Sequence, residues 1–241
     1  MPLIYGINSV SEALKARRVS KLIHVRGAGP RVDALLARAH ELRIPSETID
    51  RMAMEKLVRG GVHQGVAADL QALPAFTVEE LVQQVEGPPL LVVLDSVEDP
   101  QNVGAILRSL EGAGGHGVVR QARHAAPLDG ATAKASAGAV HHMKIATVVN
   151  ISRAIEELKQ LGVWTVGLAG EADEDYDALD FTLPTALVVG AEGTGLRRLV
   201  RETCDRLVRI PMAGQVESLN VSVAAGVVLF EAARQRRTAS R

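Results

Sequence analysis

Aromatic side chains are scarce in this chain: one Trp, two Tyr and three Phe among 241 residues. That argues against an RNA-binding surface built by stacking bases on aromatic rings. Cysteine is scarcer still, with Cys204 alone. A single thiol excludes an intramolecular disulfide and Cys-based zinc sites, and it fits a reducing cytoplasm. The seven histidines show no metal-site spacing, and the adjacent His141 and His142 do not share a helical face, so no metal is expected. No apolar run approaches the roughly 18 residues of a membrane helix. The start, MPLIYGINSV, lacks the basic-then-apolar order of a secretory signal. No G-x-S-x-G string and no P-loop Lys-Ser/Thr pair is present.

What is present is a chain that can build a core, with 47% hydrophobic and 23% charged residues. Its net charge of −1 hides an asymmetry. Residues 1–74 carry 11 Lys/Arg against 7 Asp/Glu, whereas 75–241 carry 16 against 21. The basic front part reads either as a surface for an anionic partner or as an ordinary solvated face.

The front part alternates helix and strand signals. Ser9-Val10-Ser11-Glu12 is a capping-box pattern that predicts a helix from there to about Arg17. Lys21–Val25 and Gln64–Leu70 read as strands, and Arg31–Leu42 and Ala53–Arg59 as helices. Pro74 and Gly87-Pro88-Pro89 then bracket a short amphipathic stretch, and consecutive prolines exclude a central strand or helix interior. The expected division is 1–72 as one domain, 73–89 as linker and 90–241 as the second domain. The second part reads as βα units. Its expected strands are Leu90–Leu94, Gly117–Arg120, Lys144–Val149, Val163–Leu168, Ala186–Val189 and Leu207–Ile210. Apolar strands alternating with amphipathic helices imply an α/β fold with a mostly parallel sheet. The basic tail, Arg234–Arg241, is expected to complement the dipole of a last helix.

Three elements carry chemistry. First, an apolar strand ends at Asp95, a turn follows at Asp99-Pro100-Gln101-Asn102, and Arg108 stands one to two turns into the next helix. Second, Gly190-Ala191-Glu192-Gly193-Thr194-Gly195 follows a strand, where glycines let a ligand approach the backbone. A tight βα turn explains the glycines equally, although Glu192 among them favours a site. Third, Ser218, Asn220 and Ser222 cluster before a long apolar helix; Ser218 reads either as its N-cap or as a site residue. Gly112 to Gly117 also fits G-x-G-x-x-G, but it ends a helix and opens a strand, the reverse of a dinucleotide fingerprint.

These elements resemble the SPOUT methyltransferases of the TrmH/SpoU branch. The resemblance rests on DPQNVGAILR, VVGAEGTGL and IPMAGQVESLNVSVAAGVVLFE in that order, with KASAGAV, YGINSVSEAL and HQGVAA in support. It covers nearly the whole chain and is nearest to the group that 2′-O-methylates a guanosine of 23S ribosomal RNA. It implies a catalytic α/β knot of trefoil form preceded by a small L30e-like RNA-binding domain. It implies S-adenosylmethionine as methyl donor, held by Gly190, Ile210 and Leu219. It also implies a homodimer with the active site completed across the interface. Arg108, Asn102, Glu192, Ser218 and Asn220 are the catalytic residues it implies.

A free guanidinium is a poor base, so Arg108 is better read as an anchor for the adjacent phosphate and for the charge developing on the ribose oxygen. The other four would orient Arg108 and the ribose. The chain departs from the family pattern at Leu110, Gly112, Gly115 and Arg120-Gln121, where packing rather than chemistry is at stake. Two other functions are compatible with the same scaffold: a transfer-RNA ribose methyltransferase, and a non-catalytic RNA-binding or assembly factor.

Overall fold

Parallel pairing dominates the larger part of this molecule, as its unbroken apolar strands require. The computed structural model describes residues 3–71, 73–128 and 130–239. In chain order the first elements are β1 (Leu3–Tyr5), α1 (Ile7–Lys15), β2 (Val19–Val25), α2 (Pro30–Glu41), β3 (Ser46–Ile49), α3 (Arg51–Leu57) and β4 (Val66–Leu70). They continue as α4 (Val78–Gln83), β5 (Leu90–Leu94), α5 (Pro100–Gly112), β6 (Gly117–Gln121), α6 (Gly130–Ala135), β7 (Lys144–Val148) and α7 (Ile151–Gln160). The last are β8 (Trp164–Leu168), β9 (Glu174–Asp175), β10 (Thr185–Val189), α8 (Arg198–Thr203), β11 (Arg206–Arg209) and α9 (Val221–Ala239).

Two compact units emerge. The first holds residues 1–73 and 127–142. Its four-stranded sheet has the order β1-β4-β2-β3, with only β2 and β3 parallel. The expected division assigned 127–142 to the second domain; here α6 packs on β1, and the 3-10 turn Ala139–His141 packs on α1. Helix α1 begins earlier than the capping box at Ser9 predicts. Its cap residue is Gly6, and the side chain of Gln64 accepts from Ile7 N at 3.0 Å. A distant side chain thus satisfies a free N–H of the first turn.

The second unit holds 74–126 and 143–241, with a seven-stranded sheet in the order β7-β6-β5-β10-β8-β11-β9. Every pairing in it is parallel. Strands β5 and β10 are buried along their whole length. Leu91, Val93, Ala186 and Val188 face a core completed by Val78 and Leu81 of α4, Ile151, Ile155 and Leu158 of α7, and Val200 of α8. Alternation turns Val92, Leu94 and Leu187 to the other face, where α9 packs on β10 and on α5. The α5–α9 crossing is close because it uses small residues: a Cβ on Gly226 would meet Ser109 Oγ at 3.4 Å.

Two local expectations change. Gly115 is no weak point: a Cβ there would lie 2.0 Å from Leu110 Cδ1 and 3.0 Å from Leu110 O, so the absent side chain leaves room for the buried Leu110, which would have to shift to admit one. In the basic tail, Arg236 is no mere dipole partner. Its guanidinium donates to the carbonyls of Phe181, Pro88, Pro89 and Leu183 at 2.7–3.0 Å, tying α9 to the strand entrances. The tail's last two residues and the chain's first two lie outside the described residues. No helix among the described residues is long and apolar enough to cross a membrane.

Candidate functional site

Asp99 begins the site by shaping the turn after β5. Its carboxylate accepts from Gln101 N at 3.0 Å and Asn102 N at 3.4 Å, and Pro100 supplies a preset helical φ at the first position of α5. This fixes Asn102 in the first turn, buried, with its amide turned toward the loop after β10.

Helix α9 starts at Val221, so Ser218 is not its N-cap. Asn220 caps instead: its Oδ1 accepts from Ser222 N at 2.9 Å and from Ser222 Oγ at 2.6 Å. That bond orients the amide, because Oδ1 is occupied and Nδ2 must point the other way. Nδ2 then donates to Asn102 Oδ1 at 2.9 Å. The same logic turns Asn102 Nδ2 outward, where it donates to Glu192 Oε2 at 3.0 Å. Asn220 Nδ2 also stands 3.5 Å from Glu192 Oε1. One helix cap thereby aims a carboxylate through two amides.

Glu192 faces a cleft of about 820 Å³ at the C-terminal ends of β8, β10 and β11. The cleft is also lined by Gly190, Ile210, Ser218, Leu219 and Asn220, so six of the eight residues expected from the sequence meet there. Gly190 must be glycine, because a Cβ on it would sit 2.1 Å from the carbonyl carbon of Gly195. Gly195 N closes the loop onto Ala191 O at 2.9 Å. Asn102 supports the cleft through Glu192. Arg108 is not in its lining: it is exposed on α5 and makes no side-chain hydrogen bond or ion pair with a described residue. Six residues separate it from Asn102, roughly 240° around the helix and about 9 Å along it.

The sequence left other members unnoticed. Glu171, Arg201, Arg209, Met212 and Glu217 also line the cleft. Arg201 pairs with Glu171, and Arg209 Nε donates to Asp175 Oδ1 at 2.8 Å. Beside the cleft, the fully buried Asp95 takes Arg197 N at 2.9 Å and Arg197 Nε at 2.7 Å. Arg197 Nη2 also donates to Gln121 Oε1 at 3.1 Å. A carboxylate ending an apolar strand was the one available signal; its partner, 102 residues later, was not. Cys204 stands apart from this chemistry, since burial pushes its thiol up to about 12. Among the described residues no three His, Cys, Asp or Glu side chains converge on a metal position.

Comparison with known proteins matches both parts of the chain. Residues 89–230 match the SpoU rRNA Methylase family, and residues 3–75 match the family of RNA 2′-O ribose methyltransferase substrate-binding domains. The 23S rRNA (guanosine-2′-O-)-methyltransferase RlmB of Pseudomonas syringae pv. tomato is 46% identical over 239 residues, 97% of this chain and 95% of its own. The protein of the same name from Ralstonia nicotianae is 44% identical over 238 residues, 97% of this chain and 96% of its own. Among solved structures, the SpoU methyltransferase AviRb of Streptomyces viridochromogenes, in complex with the cofactor AdoMet, superposes with a TM-score of 0.84. It is 28% identical, over 98% of this chain and 90% of that one.

Proposed function

The chain belongs to the SpoU rRNA methylase family, and on that premise we propose that it transfers a methyl group from S-adenosylmethionine to the ribose 2′-hydroxyl of a guanosine in 23S ribosomal RNA. The observation that carries this reading is the Asn220–Asn102–Glu192 chain at the mouth of a glycine-walled cleft.

The cleft suits this donor. Its walls are apolar at Leu168, Ile210 and Leu219, its loop admits no Cβ at Gly190, and Glu171, Glu192 and Glu217 offer negative charge to a cationic sulfonium. Gly190, Ile210 and Leu219 would hold the donor largely through backbone groups. When bound, S-adenosylmethionine supplies a methyl group already activated by its positive sulfur, so the protein's part is alignment and charge. Transfer to the ribose 2′-oxygen would release its hydroxyl proton to solvent, so the chain's own groups would have to hold that oxygen in line with the methyl group and offset the charge growing on it. Glu192, Ser218 and Asn220 position the ribose, and Asn102 holds Glu192. The Arg108 guanidinium anchors the neighbouring phosphate and stabilises the charge growing on the oxygen.

Arg108 stands outside the cleft of its own chain, which favours a homodimer in which a second copy's Arg108 completes each site. Val223 and Phe230, both about half exposed on α9 beside α5, supply apolar surface for such pairing. The front unit, residues 1–73 with 127–142 packed on it, would grip the RNA, and the second unit, 74–126 and 143–241, would form the trefoil-knotted catalytic domain, with α4 of the expected 73–89 linker part of its core. A ribosomal-RNA substrate and a single, half-buried free thiol fit a cytoplasmic enzyme.

Labelled methyl transfer, mapped by ribose-methylation-sensitive cleavage, tests the reading. The expected result is label at a guanosine of 23S RNA. Label on transfer RNA only would replace it with a transfer-RNA methyltransferase. RNA binding without any label would indicate an assembly factor.

A further inference from the structure

A second groove, of about 530 Å³, opens at the C-terminal ends of β6 and β7 and shares no lining residue with the cofactor cleft. Two of its walls are exposed apolar side chains, Val149 at 88% and Leu199 at 60%. Such surface costs solvation free energy unless something flat and partly apolar covers it.

Gln121 and Arg197 also line the groove. Gln121 is only 8% exposed. Its Oε1 accepts from Arg197 Nη2 at 3.1 Å and from Ser96 Oγ at 3.3 Å, which fixes the amide and directs Nε2 away from both. Nε2 has no acceptor among the described residues. Arg197 spends Nε on Asp95 and Nη2 on Asp95 and Gln121, leaving Nη1 without a described partner. Two preorganised donors, linked to each other by a hydrogen bond, thus remain unused between apolar walls. Gln121 itself is nine-tenths buried, which holds its amide in place at the groove.

A planar ligand with two adjacent acceptors matches this pattern. On the edge that bases leave free when paired, only guanine offers it, through O6 and N7; adenine there pairs an acceptor with a donor, cytosine presents a donor and uracil a single carbonyl, and cytosine's own adjacent acceptors, N3 and O2, lie on its pairing edge. A phosphate could take both donors but gains nothing from Val149 and Leu199. Arg197 stands five residues after Glu192, a span of at most about 18 Å, so an occupant lies within a nucleotide or two of the reacting ribose.

Given the RNA methyltransferase reading, we propose that this groove binds a guanine base of the substrate RNA, at or next to the methylated nucleotide, with Arg197 and Gln121 reading its O6/N7 edge and Val149 and Leu199 covering its faces. It is a specificity site separate from the donor cleft.

The test uses a short RNA containing the methylation site, with each guanosine in turn replaced by 7-deazaguanosine, which lacks the N7 acceptor. Methylation kinetics and RNA Kd are measured together for wild type, Leu199→Glu and Val149→Glu. Both substitutions fall on exposed positions and should leave Tm and S-adenosylmethionine affinity unchanged. One 7-deaza position should raise KM and Kd about tenfold in wild type with kcat little altered. Leu199→Glu should raise both on unmodified RNA and abolish the sensitivity to N7. No sensitive position, or unaltered RNA binding by both variants, overturns the proposal. So does a loss that is the same for every base and vanishes in high salt, which marks a phosphate contact instead. Failure of wild type to methylate unmodified RNA would refute the enzyme reading, while the binding arm still decides the groove.

Discussion

Asn220 Nδ2 lies 2.9 Å from Asn102 Oδ1, across 118 residues of sequence. One of these residues caps α9 and the other stands in the first turn of α5, so two helix starts share a hydrogen bond. Because the Asn220 oxygen is held by Ser222 N, the pair can present only an amide N–H to Glu192.

Asn102→Ala should therefore reduce methyl transfer far more than folding. It strips Glu192 of its 3.0 Å donor and leaves Asn220 Nδ2 without its main acceptor. Glu192 is exposed, so losing this charge-assisted hydrogen bond costs about 1.4 kcal/mol, or roughly tenfold in rate. Single-turnover kinetics should show this with donor affinity changed little. Asn102→Asp should be worse, because it sets a second carboxylate against Glu192.

Arg108→Lys should lose most activity, since a point charge does not replace a planar fork on a phosphate. Donor affinity should stay at the wild-type level, because Arg108 does not line the cleft. Mixing inactive Arg108→Ala with inactive Glu192→Gln tests the shared site directly. If each site combines two chains, random re-pairing should restore about a quarter of wild-type activity. No recovery after confirmed subunit exchange would place both residues in the same chain's site.

Gly190→Ala should abolish donor binding and lower Tm. The new methyl would sit 2.1 Å from the Gly195 carbonyl carbon, which forces the loop open. Calorimetric titration with S-adenosylmethionine and a thermal melt report the two effects. A variant that binds normally would show that the loop tolerates a shift.

Acid stability should depend on His141. Both its ring nitrogens are buried without a partner among the described residues, and burial, with Arg18 and His142 nearby, lowers its pKa to about 4, only partly offset by Glu12. The folded pKa lies below the ordinary value of 6.5, so the folded state resists protonation. Its contribution is intact above pH 6.5 and declines as the pH falls toward 4. His141→Phe should flatten that decline in urea unfolding measured at pH 7 and 4.5. An unchanged slope would mean the ring is hydrated and titrates normally.

The sequence by itself determined the parallel α/β architecture of the second part, because uninterrupted runs such as Leu90–Leu94 and Thr185–Val189 suit strands buried on both faces. Ordered motifs likewise identified Gly190, Glu192, Ile210, Ser218, Leu219 and Asn220, all of which line one cleft. Local signals misplaced what distant partners control. The capping box at Ser9 lost to Gln64 at the start of α1, and Ser218 lost the cap of α9 to Asn220. Only the tertiary structure decided that Asn102 turns inward and Arg108 outward, that Gly115 makes room for Leu110, and that Asp95 is paired with Arg197. The reason is physical. Periodicity and strand burial are properties of neighbouring residues, whereas an amide's orientation or a buried carboxylate's partner is set by hydrogen bonds between segments up to 118 residues apart.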